Sequence, residues 1–184
     1  MTLPIVQYGD PILRQQCRPV ETIDDSIISL VADMLETMAD ANGVGLAAPQ
    51  IGRDLRLAVI DVSHDPECVS YLKVNGKDAE LEDIMPLIFI NPTLDYGQEK
   101  DIAFEGCLSI QGIRCEVRRP MDVKATLPQL DGSTLVIETD GLLARALQHE
   151  IDHLNGILFT DRLSAVGKVS VKNRLKRLLA ERGD

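Results

Sequence analysis

The stretch Gln148-His149-Glu150-Ile151-Asp152-His153 decides how the rest of this 184-residue chain is read. Residues four apart on an α-helix share a face, so a helix here sets two imidazoles side by side with a carboxylate next to the first. That spacing suits one metal ion gripped by His149 and His153, with Glu150 able to act as general base on a water bound to it. Outward from the motif, Asp140 is a candidate N-cap and Gly156 a stop signal. Between them Leu143, Leu147, Ile151 and Leu154 form an apolar stripe with spacings of four, four and three. Burying that stripe would hold the histidines rigidly on a neighbouring strip, as a metal site requires. The chain has three histidines; His64, the one outside the motif, lies in a polar stretch and is expected to be exposed rather than a ligand.

A catalytic metal centre takes three protein ligands and leaves one position open. In the long zinc-protease motif HExxHxxGxxH a third histidine follows. Gly156 fits that pattern, but Phe159 stands at the ligand position and cannot bind a metal. Downstream of His153 the only glutamate is Glu181. The third ligand is therefore expected upstream, and the best candidate is Cys107 in Glu105-Gly106-Cys107-Leu108-Ser109. A thiolate suits zinc or ferrous iron, and Gly106 lets the backbone approach closely. A small buried cysteine is the alternative reading of the same residue.

Taken together, three ordered blocks resemble the peptide deformylases of bacterial type: Gly43-Val44-Gly45-Leu46-Ala47-Ala48-Pro49-Gln50-Ile51-Gly52, Glu105-Gly106-Cys107-Leu108-Ser109, and Gln148 to His153. The opening Leu3-Pro4-Ile5-Val6 and Asp10-Pro11-Ile12-Leu13-Arg14 is similar as well, so the likeness runs over roughly residues 3 to 165. The resemblance implies a hydrolase that removes the N-formyl group from the formylmethionine of nascent polypeptides and releases formate. It implies one divalent metal ion on Cys107, His149 and His153, ferrous iron natively with zinc or nickel as substitutes, and water in the fourth position. Glu150 would take the water's proton and return one to the leaving amine. The Gln50 amide and the Leu108 backbone N–H would stabilise the charge that develops on the formyl oxygen. Val44, Leu142, Arg145 and Ala146 match positions that line or border the methionine pocket. The Gly45 carbonyl and Arg114 match contacts to the peptide, and Glu105 with Arg119 matches a structural salt bridge. Solvated side chains remain the alternative for Arg114, Arg119 and Arg145. One departure stands out: Gln111-Gly112 follows Ile110 where the family commonly has a proline, which bears on the local loop and on peptide affinity.

Composition agrees with one domain over residues 1–184 and a sizeable core. Apolar residues make up 45% but aromatics only 3%, so the core must be aliphatic. No secretory signal is expected at Met1 to Val6, and no run approaches the ~18 apolar residues of a membrane helix. The four cysteines show neither paired zinc spacing nor disulfide-scaffold density, which suits a cytoplasmic protein. Neither a membrane nor DNA is expected as a partner. Charge is uneven: the net is −10, yet from Arg162 onward seven basic and two acidic residues give +5. This tail, residues 162–184, reads as a basic C-terminal helix. It is either simply solvated or, as the resemblance implies, docks on the ribosome.

Along the chain, Ile27, Ile28, Val31, Met34, Leu35 and Met38 predict a helix over 24–41 ended by Asn42-Gly43. The glycine block lacks the lysine of a phosphate loop and is read as a tight segment lining a site. Leu55 to Val62 and Pro86 to Leu94 read as strands, with a polar, acidic surface insertion from Ser63 to Met85 that turns at Asn75-Gly76. Val117 to Leu130 and Ser133 to Glu138 read as a hairpin closed by Asp131-Gly132. The order implies an α+β fold of largely antiparallel sheets around a central metal-binding helix, with a C-terminal helix. Two rival functions remain: a peptidase using the same ligands, told apart by cleavage without formate, and a noncatalytic deformylase-like binder, told apart by formyl-peptide binding without turnover.

Overall fold

The computed structural model of the protein describes residues 1–182. Gly183, Asp184 and the side chain of Arg182, the end of the expected basic tail, lie outside the described residues. A first helix, α1 (Asp25–Asp40), is followed by β1 (Gly45–Ala47), β2 (Leu57–Ile60), β3 (Leu72–Val74), β4 (Lys77–Asp78), β5 (Leu87–Ile90) and β6 (Thr93–Tyr96). Then come β7 (Lys100–Cys107), β8 (Ile110–Pro120), β9 (Asp122–Pro128), β10 (Thr134–Asp140), α2 (Gly141–Leu154) and α3 (Ala165–Arg182). The strands form three sheets in the orders β1-β2-β5, β4-β3-β10-β9-β6 and β7-β8, and every pairing is antiparallel. The α+β architecture expected from the sequence is the one observed.

The alternation of side chains along a strand explains why the motif helix is central. In β2, Leu57 and Val59 pack with α1, while Ala58 and Ile60 pack on the opposite face with α2. The first sheet is thus buried on both faces. The other side of α2 is covered by Val123, Ala125 and Leu127 of β9 and Ile137 of β10, so Leu143, Leu147, Ile151 and Leu154 lie between two sheets. The third sheet packs Ile110, Ile113 and Val117 against Leu13, Phe159, Leu163 and Val171, which brings the N-terminal arm and α3 beneath it. The α1 start is as the sequence indicates: the Asp24 carboxylate accepts from Ser26 N at 3.0 Å and Ile27 N at 3.2 Å.

Four expectations are corrected. The run Pro86 to Leu94 is two strands, broken at Asn91-Pro92, with Asn91 at φ 47. Its amide bonds both Val20 N (2.8 Å) and Val20 O (2.9 Å), and the chain passes from the first sheet to the second. Val117 to Leu130 is likewise split at Met121: the part through Pro120 pairs with β7, and the rest pairs with β10 and β6. The segment from Ser63 to Met85 is more than a surface loop. It turns at Asn75-Gly76 as expected, but its strand β3 extends the second sheet beside β10, and Leu72 and Leu81 enter the core. Lastly, Asp140 occupies the N-cap position of α2 without capping it. Its carboxylate accepts instead from Ser70 N at 2.8 Å and Tyr71 N at 3.3 Å, which fastens the insertion to the start of the motif helix. Gly141 at φ +58 permits this closeness, since a Cβ there would lie 1.9 Å from the Cys68 carbonyl oxygen.

Candidate metal centre

The helix α2 presents His149 and His153 on adjoining turns with ring centroids 5.0 Å apart. Opposite them stands Cys107, the last residue of β7, delivered by an irregularity in the β7–β8 ladder between Glu105 and Cys107 and a tight return to Ile110. The Cys107 Sγ lies 3.3 Å from His153 Nε2, and one donor atom from each of the three side chains falls within 4.8 Å of the others. A tetrahedral ion with bonds of ~2.0–2.3 Å spaces its ligands about 3.5 Å apart, so this donor set fits one divalent ion after a small contraction. A second feature supports the fit. His149 Nδ1 is engaged at 3.1 Å by Glu105 Oε2, an arrangement that fixes the ring and leaves Nε2 for a metal.

Around the donors the charges are heavily committed. Arg119, 2% exposed, forks onto both oxygens of Glu105 through Nε and Nη2 and reaches Asp152 through Nη1 at 2.8 Å. Arg145 bonds Glu105 Oε1 at 2.8 Å, the Val117 carbonyl at 3.0 Å and Asp101 at 2.6 Å. Arg119 and Arg145 are therefore not solvated, whereas Arg114 is exposed at the rim. Burial would raise the Glu105 carboxyl, but the hydrogen bonds with His149 and Arg119 outweigh it and hold that group well below the usual carboxylate range. For His149, burial is likewise outweighed by its bonds with Cys107 and Glu105, so its pKa is raised, while burial and the neighbouring His149 push His153 down.

Glu150 differs from these groups. It is buried, its Oε2 has no hydrogen-bond partner among the described residues, and burial pushes its carboxyl up to about 7 against the pull of His149. The carboxylate lies over Gly45, where a Cβ would meet Glu150 Oε1 at 2.3 Å. Gln50, 1% exposed, is held by Ala47 N at 2.9 Å through its Oε1. Its Nε2 donates to Ser109 Oγ at 3.2 Å and lies 3.5 Å from Cys107 Sγ, an orienting scheme not read from sequence. Gly45, Gln50, Glu105, Cys107, His149 and Glu150 border a cavity of about 680 Å³. Of the residues matched to substrate contacts, Val44, Gly45, Arg114, Leu142, Arg145 and Ala146 all line it, as does Leu108. His153 and Arg119 lie behind the wall, and Gln111 stands at the rim.

A family model described as Polypeptide deformylase matches residues 2–169. The chain belongs to the peptide deformylase family. A peptide deformylase of Methylacidiphilum infernorum is 49% identical over 178 residues, 97% of this chain and 93% of that protein. The crystal structure of a peptide deformylase from Legionella pneumophila superposes with a TM-score of 0.80 at 36% identity, covering 100% of this chain and 98% of that one. A peptide deformylase of Synechococcus elongatus in complex with actinonin gives 0.77 at 37% identity over 98% and 88% of the two chains. Peptide deformylases are metal-dependent hydrolases, which accords with the donor set here.

Sequence reasoning missed the buried contacts of Asp152 with Arg119 and Arg162 beside this centre. Asp152 sits inside the motif but was silent because its partners come from β8 and from beyond the helix. Phe159, which denies the chain a third histidine, stacks on His149 at 6.2 Å between ring centroids.

Proposed function

We propose that Cys107, His149 and His153 hold one divalent metal ion and that Glu150 manages the protons while the chain removes the N-formyl group from nascent polypeptides, releasing formate. The observation that carries this reading is the convergence of the three donors beside a buried carboxylate whose Oε2 has no hydrogen-bond partner among the described residues. When bound, the ion supplies a Lewis acid that polarises the formyl carbonyl and makes a water acidic enough to attack near neutrality. Glu150 accepts that water's proton at Oε2 and delivers one to the amine nitrogen as the C–N bond breaks. Gln50 Nε2 and the Leu108 N–H donate to the formyl oxygen as it gains charge. Glu105 keeps His149 in one ring orientation, and the apolar cavity wall of Val44, Leu142 and Ala146 takes the methionine side chain. Gly45 and Arg114 hold the peptide backbone behind it. Ferrous iron is the expected native ion, and zinc and nickel suit the same donors.

The exposed cations Lys168, Lys172, Arg174, Lys176 and Arg177 of α3 support docking on ribosomal RNA. The cores on the two faces of the first sheet, one shared with α1 and the other with α2, support reading the chain as one domain. No helix of the described residues is long and apolar enough to cross a membrane, and a cytoplasmic location fits the four free cysteines.

The test is formate release from formyl-Met-Ala-Ser, measured anaerobically with iron- and zinc-loaded protein. Glu150→Ala should keep one ion per chain and lose about 100- to 10,000-fold in turnover. Near-native turnover in that variant would remove Glu150 from its role, and peptide cleavage without formate would point to a peptidase.

A further inference from the structure

By charge, Arg162 belongs to the basic tail; by contact, it belongs to the support of the metal centre. Its guanidinium forks onto the Asp152 carboxylate, Nε to Oδ2 and Nη2 to Oδ1. Asp152 lies on α2 one residue before His153 and is only 4% exposed. Its Oδ2 also accepts from Arg119 Nη1 at 2.8 Å. Arg119 in turn grips Glu105, and Glu105 Oε2 meets His149 Nδ1 at 3.1 Å. An unbroken series of charged contacts therefore runs from the start of the C-terminal segment to a ligand ring. We propose that Arg162 is a positioning residue for the metal centre, acting on His149 through Asp152, Arg119 and Glu105. The proposal rests on the metal-binding reading given above.

Two features make the contact more than a surface pair. Arg119 is divided between two carboxylates, with two nitrogens on Glu105 and one on Asp152. Arg162 supplies the rest of what Asp152 needs. Without Arg162, the buried Asp152 Oδ1 has no partner among the described residues and the whole of Asp152 falls on Arg119, whose hold on Glu105 is then contested. The position of Arg162 is also fixed independently. It ends a 3₁₀ turn (Phe159–Arg162) whose Phe159 ring stacks on His149. The same turn is pinned by the Arg14–Asp161 pair and by Leu158 N donating to Asp161 at 2.9 Å. Arg14→Gln removes one exposed contact of this turn and leaves the Phe159 stack, the Leu158–Asp161 bond and the charge series in place, which makes it the control for a merely structural effect.

The experiment uses the full chain with Co2+ as the probe, since thiolate and imidazole ligation give it a visible spectrum. Affinity is read by competition with a chelator, and kcat and KM are read separately on a formylated tripeptide. Arg162→Gln should weaken Co2+ binding about 10-fold, shift the visible bands and lower kcat with KM little changed. Arg162→Lys, which keeps the charge but not the fork, should lie between it and the native chain. Arg14→Gln should lower Tm and leave the Co2+ affinity and bands native. Native affinity and bands in Arg162→Gln, with only a lower Tm, would reduce Arg162 to a peg for α3 and overturn the proposal. Equal losses in Arg14→Gln would do the same. Should Arg162→Gln not fold, Arg162→Lys decides: intermediate affinity upholds the proposal and native affinity overturns it. A native chain that takes up no Co2+ would bring down the metal-binding reading itself, and this proposal with it, a result distinct from any difference between variants.

Discussion

At the scale of single residues, the site depends on space as much as on chemistry. Glu150 Oε1 occupies the volume that a Cβ on Gly45 would claim, 2.3 Å away. Gly45→Ala should therefore fold and bind metal but displace the carboxylate, and a displacement of the order of 1 Å costs about 100-fold in rate. Steady-state kinetics beside a metal assay checks this; unimpaired turnover would show that the carboxylate has room to shift. Cys107→Ser should lose the ion far more readily than the native chain, because a hydroxyl is a poor replacement for a thiolate. Metal content after dialysis against a chelator measures this, and retention equal to native would place the third ligand elsewhere. Stripping the native chain with the same chelator should abolish formate release, and adding back ferrous iron should restore it. These residues were legible in sequence because they sit in short motifs. What was not legible is why Gly45 must be glycine, since its neighbour in space comes from a helix a hundred residues later.

At the scale of elements, the β7–β8 hairpin and α2 are joined by buried charge. Arg119 on β8 stands between Glu105 on β7 and Asp152 on α2. Arg119→Leu would leave both carboxylates short of a partner, and breaking a buried pair in this way costs ~3–5 kcal/mol. Urea denaturation of the metal-free variant and native chain reads that difference without the contribution of bound ion. A loss under ~1 kcal/mol would mean that Arg145 and Arg162 carry the network between them. Helices α1 and α2 were legible to within a residue, because apolar periodicity and terminal signals are local. The strands were less so. Single strands are expected through Asn91-Pro92 and through Met121, and pairing with different partners on either side of those points makes each of them two strands. The acidic insertion gave no sign of Leu72 joining β10, because a three-residue strand carries almost no pattern of its own.

At the scale of the whole molecule, α3 faces two ways. Val171, with Leu175 and Leu178, packs against the β7–β8 side of the fold, while Lys172, Lys176 and Arg177 are exposed. Deleting the helix would uncover core, so ribosome docking is better tested by Lys172→Glu, Lys176→Glu and Arg177→Glu together. That variant should keep native turnover on a free formyl peptide and lose co-sedimentation with ribosomes at low salt; unchanged co-sedimentation would return the tail to a solvated surface. The sequence by itself determined the class of fold, the motif helix with its buried stripe, two candidate metal donors and the carboxylate beside them, and, through its resemblance, the reaction. Each depends on residues close together along the chain or on an ordered set of short motifs. Only the tertiary structure decided that Cys107 meets His153, that Gly45 makes room for Glu150, and that Arg162 of the tail and Arg119 of β8 meet on Asp152. Those relations are contacts between residues far apart in sequence, and no local pattern encodes which distant side chain will satisfy a buried charge.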